Sequence, residues 1–273
     1  MTQANRTEKG FVRVRGTKLY YEMAGEGHPL LLLHGGLLDH RMWEQQFEAF
    51  ARHYRVVRYD IRGFGASEMS GTAYADERDL YDLLVYLDID KTYLLGLSLG
   101  GSIAIDFTLE HPQKVAGLIL AAASVGGYDN YSPEAIERQH RIEAAIEQRD
   151  VPRLFELWAS DPMMPQADEN PEAHRRYRAM LKDYTFVHYL NPAPQQELDP
   201  PAIEQLMEIR VPTLVLVGDQ DTLESQAIAE LFEVGILDVK KVTLPGARHM
   251  LNMERPETFN RAVLTFLHRL DNL

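Results

Sequence analysis

Apolar and polar residues are arranged in two different patterns along the chain. Near the start, the stretch FVRVRGTKLYYEMAG alternates apolar and polar residues around Arg15-Gly16-Thr17-Lys18, which predicts two short strands of an antiparallel hairpin. Continuous apolar runs of strand length then replace the alternation, in PLLLLHGG, YRVVRYD, TYLLGL, KVAGLILAAA, PTLVLVGD and KKVTLP. Runs of this kind are typical of strands buried on both faces, as in a parallel sheet.

Amphipathic segments separate these runs. Apolar residues at helical spacing predict helices over residues 40–52, 76–87, 98–110 and 255–270. Strands that alternate with helices indicate an α/β doubly wound fold, and such folds carry their site at the carboxyl ends of the strands.

The alternation breaks between about residues 125 and 209. This segment is rich in Glu, Arg and Pro, and in Ser132-Pro133 and Asn170-Pro171 a capping residue precedes a proline, which predicts helix starts. We therefore expect residues 1–124 and 210–273 to form a core domain and residues 125–209 to form a helical cap subdomain. Most of the cap's aromatic side chains are expected to form a small second core.

Composition narrows the possible partners and compartment. The 273 residues are 45% apolar and 25% charged, as in a globular protein, and the net charge of −13 disfavours nucleic acid and anionic membranes. The absence of cysteine excludes disulfides and thiol nucleophiles. The polar stretch MTQANRTEKG predicts no signal peptide, and no apolar run approaches the roughly 18 residues of a membrane helix. We expect a soluble, cytoplasmic protein.

The pentapeptide Gly96-Leu97-Ser98-Leu99-Gly100 lies where a predicted strand meets a predicted helix. A strand favours Val or Ile at these glycine positions and a helix interior avoids glycine, so the pair indicates a tight turn with a crowded backbone. Such a turn presents the serine hydroxyl at the edge of the sheet, next to backbone N–H groups and a positive helix end. Ser98 is therefore the candidate nucleophile.

A serine hydroxyl needs a base to take its proton, and an acid to orient that base. His249 follows the run KKVTLP in a loop before the last predicted helix, and Asp221 lies in a loop after PTLVLV. The chain order Ser98, Asp221, His249 is that of one hydrolase fold and differs from that of two well-known protease folds. Asp219 is a rival acid, whose alternative role is to tie its loop by a side-chain turn.

The other histidines are assigned roles outside the chemistry. His34 is expected to brace its loop through hydrogen bonds. Loop or helix-surface positions are expected for His28, His40, His53, His111, His140, His174, His188 and His268.

An oxyanion formed at Ser98 needs two hydrogen-bond donors. The N–H of Leu99 is the expected first donor, and the loop HGGL after the run LLLL supplies the second from Gly36, with Leu37 as the fallback. Substrate contacts are predicted for Leu37, Trp158, Met163 and Met164.

These motifs resemble the α/β-hydrolase superfamily, and within it the capped esterase or lactonase type with a serine nucleophile. The resemblance rests on LLLLHGG with DHRMW, YRVVRYDIRGFGAS, GLSLGG, LVGDQD and GARHMLNMERPETF, in that order. It implies a mostly parallel eight-stranded sheet flanked by helices, a helical cap and a metal-free mechanism. Asp60 and Arg62 match a structural loop of the family. Relatives that open epoxides or remove halogens use an aspartate nucleophile, so Ser98 argues against those activities.

The residues and the resemblance together predict a serine hydrolase that cleaves small carboxylic esters or lactones through an acyl-enzyme. Two alternatives stay open: a carbon–carbon bond hydrolase acting on diketones from aromatic ring cleavage, and a non-catalytic, receptor-like protein that binds a small molecule. The chain has no nucleotide-binding glycine fingerprint and no His–carboxylate set at metal-ligand spacing, so no cofactor and no metal are expected.

Overall fold

A computed structural model describes residues 7–272 of the chain. Residues 1–6 and 273 lie outside the described residues, and with them most of the stretch that predicts no signal peptide. Among the described helices, none combines the length and the apolar character needed to cross a membrane.

One sheet of eight strands runs through the described residues. The strands are β1 (Glu8–Val14), β2 (Thr17–Ala24), β3 (Pro29–Leu33), β4 (Arg55–Tyr59), β5 (Thr92–Leu97), β6 (Val115–Ala121), β7 (Thr213–Gly218) and β8 (Val239–Leu244). Their order is β1-β2-β4-β3-β5-β6-β7-β8, in which β2 pairs antiparallel with β1 and β4 and the other pairs are parallel. The predicted mostly parallel eight-stranded sheet is confirmed.

The first hairpin turns more tightly than the sequence suggests. Only Arg15 and Gly16 lie between β1 and β2, because Val14 already pairs with Thr17. Arg15 has φ 38° and Gly16 has φ 80°, so both turn residues occupy the left-handed region that a two-residue hairpin of this twist requires.

Helices cover the two faces of the sheet and fill the predicted cap segment. They are α1 (Glu44–Phe50), α2 (Asp76–Tyr86), α3 (Leu99–Glu110), α4 (Pro133–Glu147), α5 (Val151–Ala159), α6 (Pro171–Asp183), α7 (Val187–Leu190), α8 (Leu223–Gly235), α9 (Leu251–Glu254) and α10 (Pro256–Leu270). Short 3₁₀ helices span His40–Trp43, Pro112–Lys114 and Ala202–Glu208. The four core helices predicted from apolar spacing are confirmed, with the first beginning as the 3₁₀ turn His40–Trp43.

Two elements depart from the sequence expectations. Helix α8 was not predicted, because Leu223, Leu231 and Val234 face solvent and its apolar residues do not mark a single buried face. Strand β8 is not buried on both faces, since it forms the edge of the sheet and exposes Lys240 and Thr243.

Helices α4 to α7 lie between β6 and β7, in the segment for which a cap is predicted. Ser132 caps α4 by accepting the Ala135 N–H at 3.2 Å, and Asn170 caps α6 by accepting the Ala173 N–H at 3.1 Å, so both predicted helix starts are confirmed. Cap side chains such as Tyr177 are fully buried. The cap boundaries at residues 125 and 209 stay a prediction.

A buried ion pair anchors the loop after β4. Arg62 donates from Nε and Nη2 to the two oxygens of Asp79 at 2.7 and 2.8 Å, and from Nη1 to Ser70 Oγ at 2.5 Å. Arg62 is 1% exposed and Asp79 is 1% exposed. These contacts agree with a structural role for Arg62, which packs against the Tyr74 ring at 4.9 Å.

We predict that Arg62→Met lowers the free energy of unfolding by about 3–5 kcal/mol, because it leaves the Asp79 carboxylate buried without its partner. Arg15→Met is the matched control: Arg15 pairs with Asp82 at 2.9 Å on the exposed surface, so its loss should cost less than about 1 kcal/mol. Urea denaturation of both variants measures the difference, and equal losses would contradict the prediction.

Candidate active site

The turn between β5 and α3 holds Ser98 in a strained backbone conformation. Ser98 has φ 53° and ψ −115°, a left-handed geometry that a residue with a side chain adopts only when its surroundings enforce it. Its N–H donates to the Ala121 carbonyl at 3.0 Å, and its own carbonyl accepts the N–H groups of Gly101 and Ser102 at 2.9 and 3.1 Å. Hydrogen bonds to β6 and to the first turn of α3 therefore fix the serine in place.

Close backbone approach explains the small residues around Ser98. A Cβ at Gly96 would lie 2.1 Å from the Gly100 carbonyl oxygen, and a Cβ at Gly100 would lie 2.2 Å from the Leu33 carbonyl oxygen. A Cβ at Gly101 would lie 2.3 Å from the Cβ of Ala123. Two of these three obstacles are main-chain atoms, so the turn leaves no room for side chains at these glycines.

The structure brings Asp221 and His249 together from two loops at the carboxyl ends of β7 and β8. His249 Nδ1 lies 3.1 Å from each carboxylate oxygen of Asp221, and both residues are buried. One of these oxygens also accepts the Thr222 N–H at 2.7 Å, which orients the carboxylate. Asp219, the rival acid, is exposed and accepts the Gly246 N–H at 2.7 Å, which ties the same two loops together.

Ser98 and His249 line one cavity of about 160 Å³. Among the contacts of the described residues, no hydrogen bond joins the serine hydroxyl to the imidazole, although both residues line the same cavity. Ser225, which sequence reasoning missed, also lines this cavity and places Oγ 3.5 Å from His249 Nδ1.

Electrostatics favour the charged form of His249. Burial lowers the pKa of His249, but the charge and hydrogen bond of the Asp221 carboxylate, together with the smaller effects of Glu254 and Asp161, more than offset this. The net pKa of His249 is therefore raised above its ordinary value of 6.5. An imidazole in this setting can accept a proton and hold it as a cation beside Asp221.

The loop after β3 faces the serine turn. His34 Nε2 accepts the Ile61 N–H at 2.9 Å, so its Nδ1 carries the proton and donates to the Gly35 carbonyl at 2.8 Å. Burial lowers the pKa of His34, in keeping with this neutral, bracing imidazole. A Cβ at Gly36 would lie 3.9 Å from Leu99 Cδ2, so this loop adjoins the first residue of α3.

Three main-chain N–H groups of this loop and of the start of α3 are free to donate a hydrogen bond to a ligand. Within residues 7–272, the N–H groups of Gly36, Leu37 and Leu99 have no acceptor in the hydrogen bonds of the protein. Leu37 has φ 68°, which turns the chain away from β3, and its side chain is buried in the core.

The four residues predicted to contact substrate lie in different surroundings in the structure. Met163 lines the cavity of Ser98, and its carbonyl accepts the His249 N–H at 3.2 Å. Trp158 lines a neighbouring pocket instead, and Met164 is 2% exposed within the hydrophobic core. The buried Leu37 side chain likewise belongs to the core, so in this conformation Met163 is the one of the four that lines the cavity.

Two histidines expected on the surface are partly buried and hold specific contacts instead. His188 donates from Nε2 to the Arg62 carbonyl at 2.9 Å, accepts the Tyr184 hydroxyl at 2.8 Å and stacks on Phe64. Burial lowers the pKa of His188 to about 4, so it stays neutral. His40 contacts Asp60 at 2.7 Å, because the chain reversal after β3 brings the two together.

One group of the described residues has the geometry of a metal site. Asp39, His40 and Asp60 place one potential ligand atom each within 4.8 Å of one another. Their atoms are already engaged: Asp39 holds Arg41 through contacts of 2.6 to 3.1 Å, and Asp60 accepts the Ala66 N–H at 2.8 Å and contacts His40. These hydrogen bonds and ion pairs account for the close approach of the three side chains.

A serine on a strand-to-helix turn, with a histidine–aspartate pair on loops at the same edge of a parallel sheet, is typical of hydrolases of the α/β type. The chain belongs to the alpha/beta hydrolase family, whose family model matches residues 30–262.

Relatives and solved structures agree over nearly the whole chain. A hydrolase from Pseudomonas aeruginosa PA01 is 30% identical with a TM-score of 0.80, covering 95% of this chain and 98% of that one. A thermophilic esterase from Thermogutta terrifontis is 27% identical with a TM-score of 0.80, covering 96% and 99%. The 2-hydroxy-6-oxononadienedioate/2-hydroxy-6-oxononatrienedioate hydrolase of Paraburkholderia xenovorans is 26% identical, covering 94% of each chain.

We predict that Gly96→Ala lowers the free energy of unfolding by at least about 3 kcal/mol, because its Cβ would overlap the Gly100 carbonyl. Gly71→Ala is the control, since a Cβ there meets nothing within 4 Å, and its effect should stay within about 0.5 kcal/mol. Thermal or urea unfolding tests both variants. If Gly96→Ala were as stable as Gly71→Ala, the crowding of the serine turn would be disproved.

Proposed function

We propose that this protein is a serine hydrolase that cleaves carboxylic esters or lactones of small molecules. The observation that carries the proposal is the contact of His249 Nδ1 with both oxygens of Asp221 at 3.1 Å, in a cavity shared with the strained Ser98. A serine alone is a weak nucleophile, and an oriented imidazole in the same cavity supplies the base that it lacks.

The proposed reaction uses each group in turn. His249 Nε2 takes the Ser98 hydroxyl proton as the oxygen attacks the ester carbonyl, while Asp221 holds the imidazole in the correct tautomer and stabilises its cation. The N–H groups of Gly36 and Leu99 donate to the oxyanion of the tetrahedral intermediate. The imidazolium then protonates the leaving alcohol, and His249 activates a water that releases the acid from Ser98.

The relatives support a hydrolase activity in general. Which bond of the substrate is cleaved has to be tested by experiment. The Thermogutta terrifontis structure is an esterase, which favours ester hydrolysis. The Paraburkholderia xenovorans relative, at similar identity, is a 2-hydroxy-6-oxononadienedioate/2-hydroxy-6-oxononatrienedioate hydrolase. A receptor-like protein would bind without turnover. The three hypotheses are separated by comparing kcat/KM for p-nitrophenyl acetate and butyrate, small lactones and a ring-cleavage diketone.

We predict that Ser98→Ala lowers kcat for the best ester by a factor on the order of 10⁶ with folding unchanged, because no other group supplies the attacking oxygen. Ser102→Ala on the same helix is the matched control and should keep near-normal activity. Initial rates and thermal unfolding are measured for both variants. Retention of most ester cleavage by Ser98→Ala would refute the assignment.

We predict that kcat/KM falls as the pH drops through a midpoint above 6.5, because His249 must be neutral to act as base and its pKa is raised. The direction of the pH dependence follows from the role of His249 as base. Protonation at lower pH removes the neutral imidazole, so kcat/KM is at its full value above the midpoint. A pH–rate profile on an uncharged ester measures the midpoint. A midpoint below 6.5 would contradict the role given to Asp221.

A further inference from the structure

The residues between β8 and α9, 245–250, carry His249, and we call them the histidine loop. Two consecutive N–H groups of this loop donate to acceptors outside it. The N–H of Arg248 donates to Glu254 Oε2 at 2.5 Å, and the N–H of His249 donates to the Met163 carbonyl at 3.2 Å. The histidine loop is therefore held from two directions, by α9 and by the segment between β6 and β7.

Helix α9, which ends in Glu254, is fixed to the core of the protein. All of its residues are buried, and Asn252 is fully buried. The Asn252 side chain donates to the Met42 carbonyl at 3.0 Å, and its own carbonyl accepts Gln46 Nε2 at 3.2 Å. Asn170 Nδ2 donates to the Glu254 carbonyl at 3.0 Å. Glu254 thus reaches the histidine loop from a fixed helix, which lets its carboxylate determine where that loop lies.

The carboxylate of Glu254 is buried and only partly satisfied. The residue is 5% exposed, and its Oε1 has no hydrogen-bond partner among the described residues. The nearest guanidinium groups hold other acceptors, since Arg248 donates to Glu169 and Arg255 donates to main-chain carbonyls. A neutral amide would accept the Arg248 N–H as well and would be less costly to bury, so what the carboxylate adds is negative charge.

Ionisation of Glu254 is opposed by the fold. Burial, with a smaller contribution from the charge of Asp221, raises the pKa of Glu254 from its ordinary 4.5 to about 7. The Arg248 N–H and the charges of Arg248 and Arg255 act in the opposite direction. Because the pKa is raised in the folded protein, stability falls as the pH rises from 4.5 through 7 and the carboxyl loses its proton.

The charge of Glu254 acts on His249. Burial lowers the pKa of His249, and the carboxylates of Asp221, Glu254 and Asp161 raise it, in that order of size. Asp221 contacts the imidazole, and Asp161 is paired with Arg138 at 3.5 Å. Among the described residues, no cation contacts the carboxylate of Glu254. An imidazolium at His249 is therefore stabilised by a second carboxylate that no ion pair neutralises.

We propose that Glu254 is a positioning residue for the base. Its carboxylate holds the histidine loop through the Arg248 N–H and places a second negative charge beside the Asp221–His249 pair. This role rests on the proposed function, in which His249 is the base. Asp221 orients the imidazole by direct contact, whereas Glu254 acts through the main chain of the loop and through its charge.

The charge is tested without turnover by an NMR titration of His249 in Ser98→Ala. The imidazole signal of His249 is identified as the one that disappears when His249→Asn is added. Adding Glu254→Gln instead should lower the pKa of His249 by at least about 0.3 pH unit, because a nearby negative charge is lost. An unchanged pKa of His249 would overturn the proposal.

Glu77→Gln is the matched control for the titration. Glu77 is 7% exposed and burial raises its pKa as well, but it lies on α2 and its charged neighbours are Arg78, Glu110 and Asp79. Its substitution should leave the pKa of His249 unchanged. A shift as large as that in Glu254→Gln would refute a specific action of Glu254.

The hydrogen bond is tested by Glu254→Leu, which removes the acceptor of the Arg248 N–H. We expect kcat for the best ester to fall at least about tenfold and KM to change less than about threefold, because the imidazole shifts while Glu254 does not line the cavity. Glu254→Asp, which withdraws the carboxylate by one methylene, replaces this variant if it does not fold.

Glu254→Gln should restore most of the lost kcat, since its amide oxygen accepts the same N–H. The midpoint of its pH profile for kcat/KM should fall together with the pKa of His249. Thermal unfolding at pH 8 should show no loss of Tm, because the variant removes a buried charge that lowers stability there. Equal losses of kcat in Glu254→Gln and Glu254→Leu would contradict the role of the hydrogen bond.

The two kinds of measurement separate the role of Glu254 from the proposed function. If the unsubstituted protein cleaved no ester, a lowered pKa of His249 in Glu254→Gln would still establish the action of Glu254 on the imidazole, and the hydrolase would be refuted. Ester cleavage that depends on Ser98, with the same pKa of His249 whether residue 254 is Glu or Gln, would do the reverse.

Discussion

The left-handed backbone of Ser98 is the constraint on which the rest of the site depends. It persists because β3, β5 and the chain after β6 all approach the turn closely: the Leu33 carbonyl meets Gly100, and Ala123 meets Gly101. Hydrogen bonds from β6 and from the first turn of α3 also hold the backbone of Ser98. The position of the hydroxyl is therefore a property of three neighbouring strands, and any rearrangement of the sheet centre would displace it.

Features that depend on local backbone chemistry were predictable from the sequence. The structure contains the strands predicted from continuous apolar runs, the helix starts at Ser132-Pro133 and Asn170-Pro171, and the tight turn predicted from the glycine pair around Ser98. The choice of Asp221 over Asp219 rested on position alone. The structure gives the two carboxylates different partners, a buried imidazole for the first and the Gly246 N–H for the second.

Features that depend on distant partners were not predictable. His188 has the local sequence of a surface residue, yet it is partly buried and bonded to the carbonyl of Arg62, 126 residues earlier in the chain. Strand β8 has the composition of its neighbours, and only the strand order makes it an edge. Trp158 was expected beside Ser98 because it is a large cap aromatic, but the direction of α5 places it on the adjoining pocket. A single sequence contains no record of such pairings.

The loop that carries His249 is bound to the helical segment between β6 and β7. Arg248, the residue before His249, donates to the Glu169 carboxylate of this segment at 2.7 and 3.1 Å, and the N–H of His249 itself donates to the Met163 carbonyl. The N–H of Met163 in turn donates to Asp161, a buried carboxylate. The segment between β6 and β7 thus holds the histidine loop through both side-chain and main-chain hydrogen bonds. Substitutions in this segment that shift Met163 or Glu169 will therefore also shift the His249 imidazole.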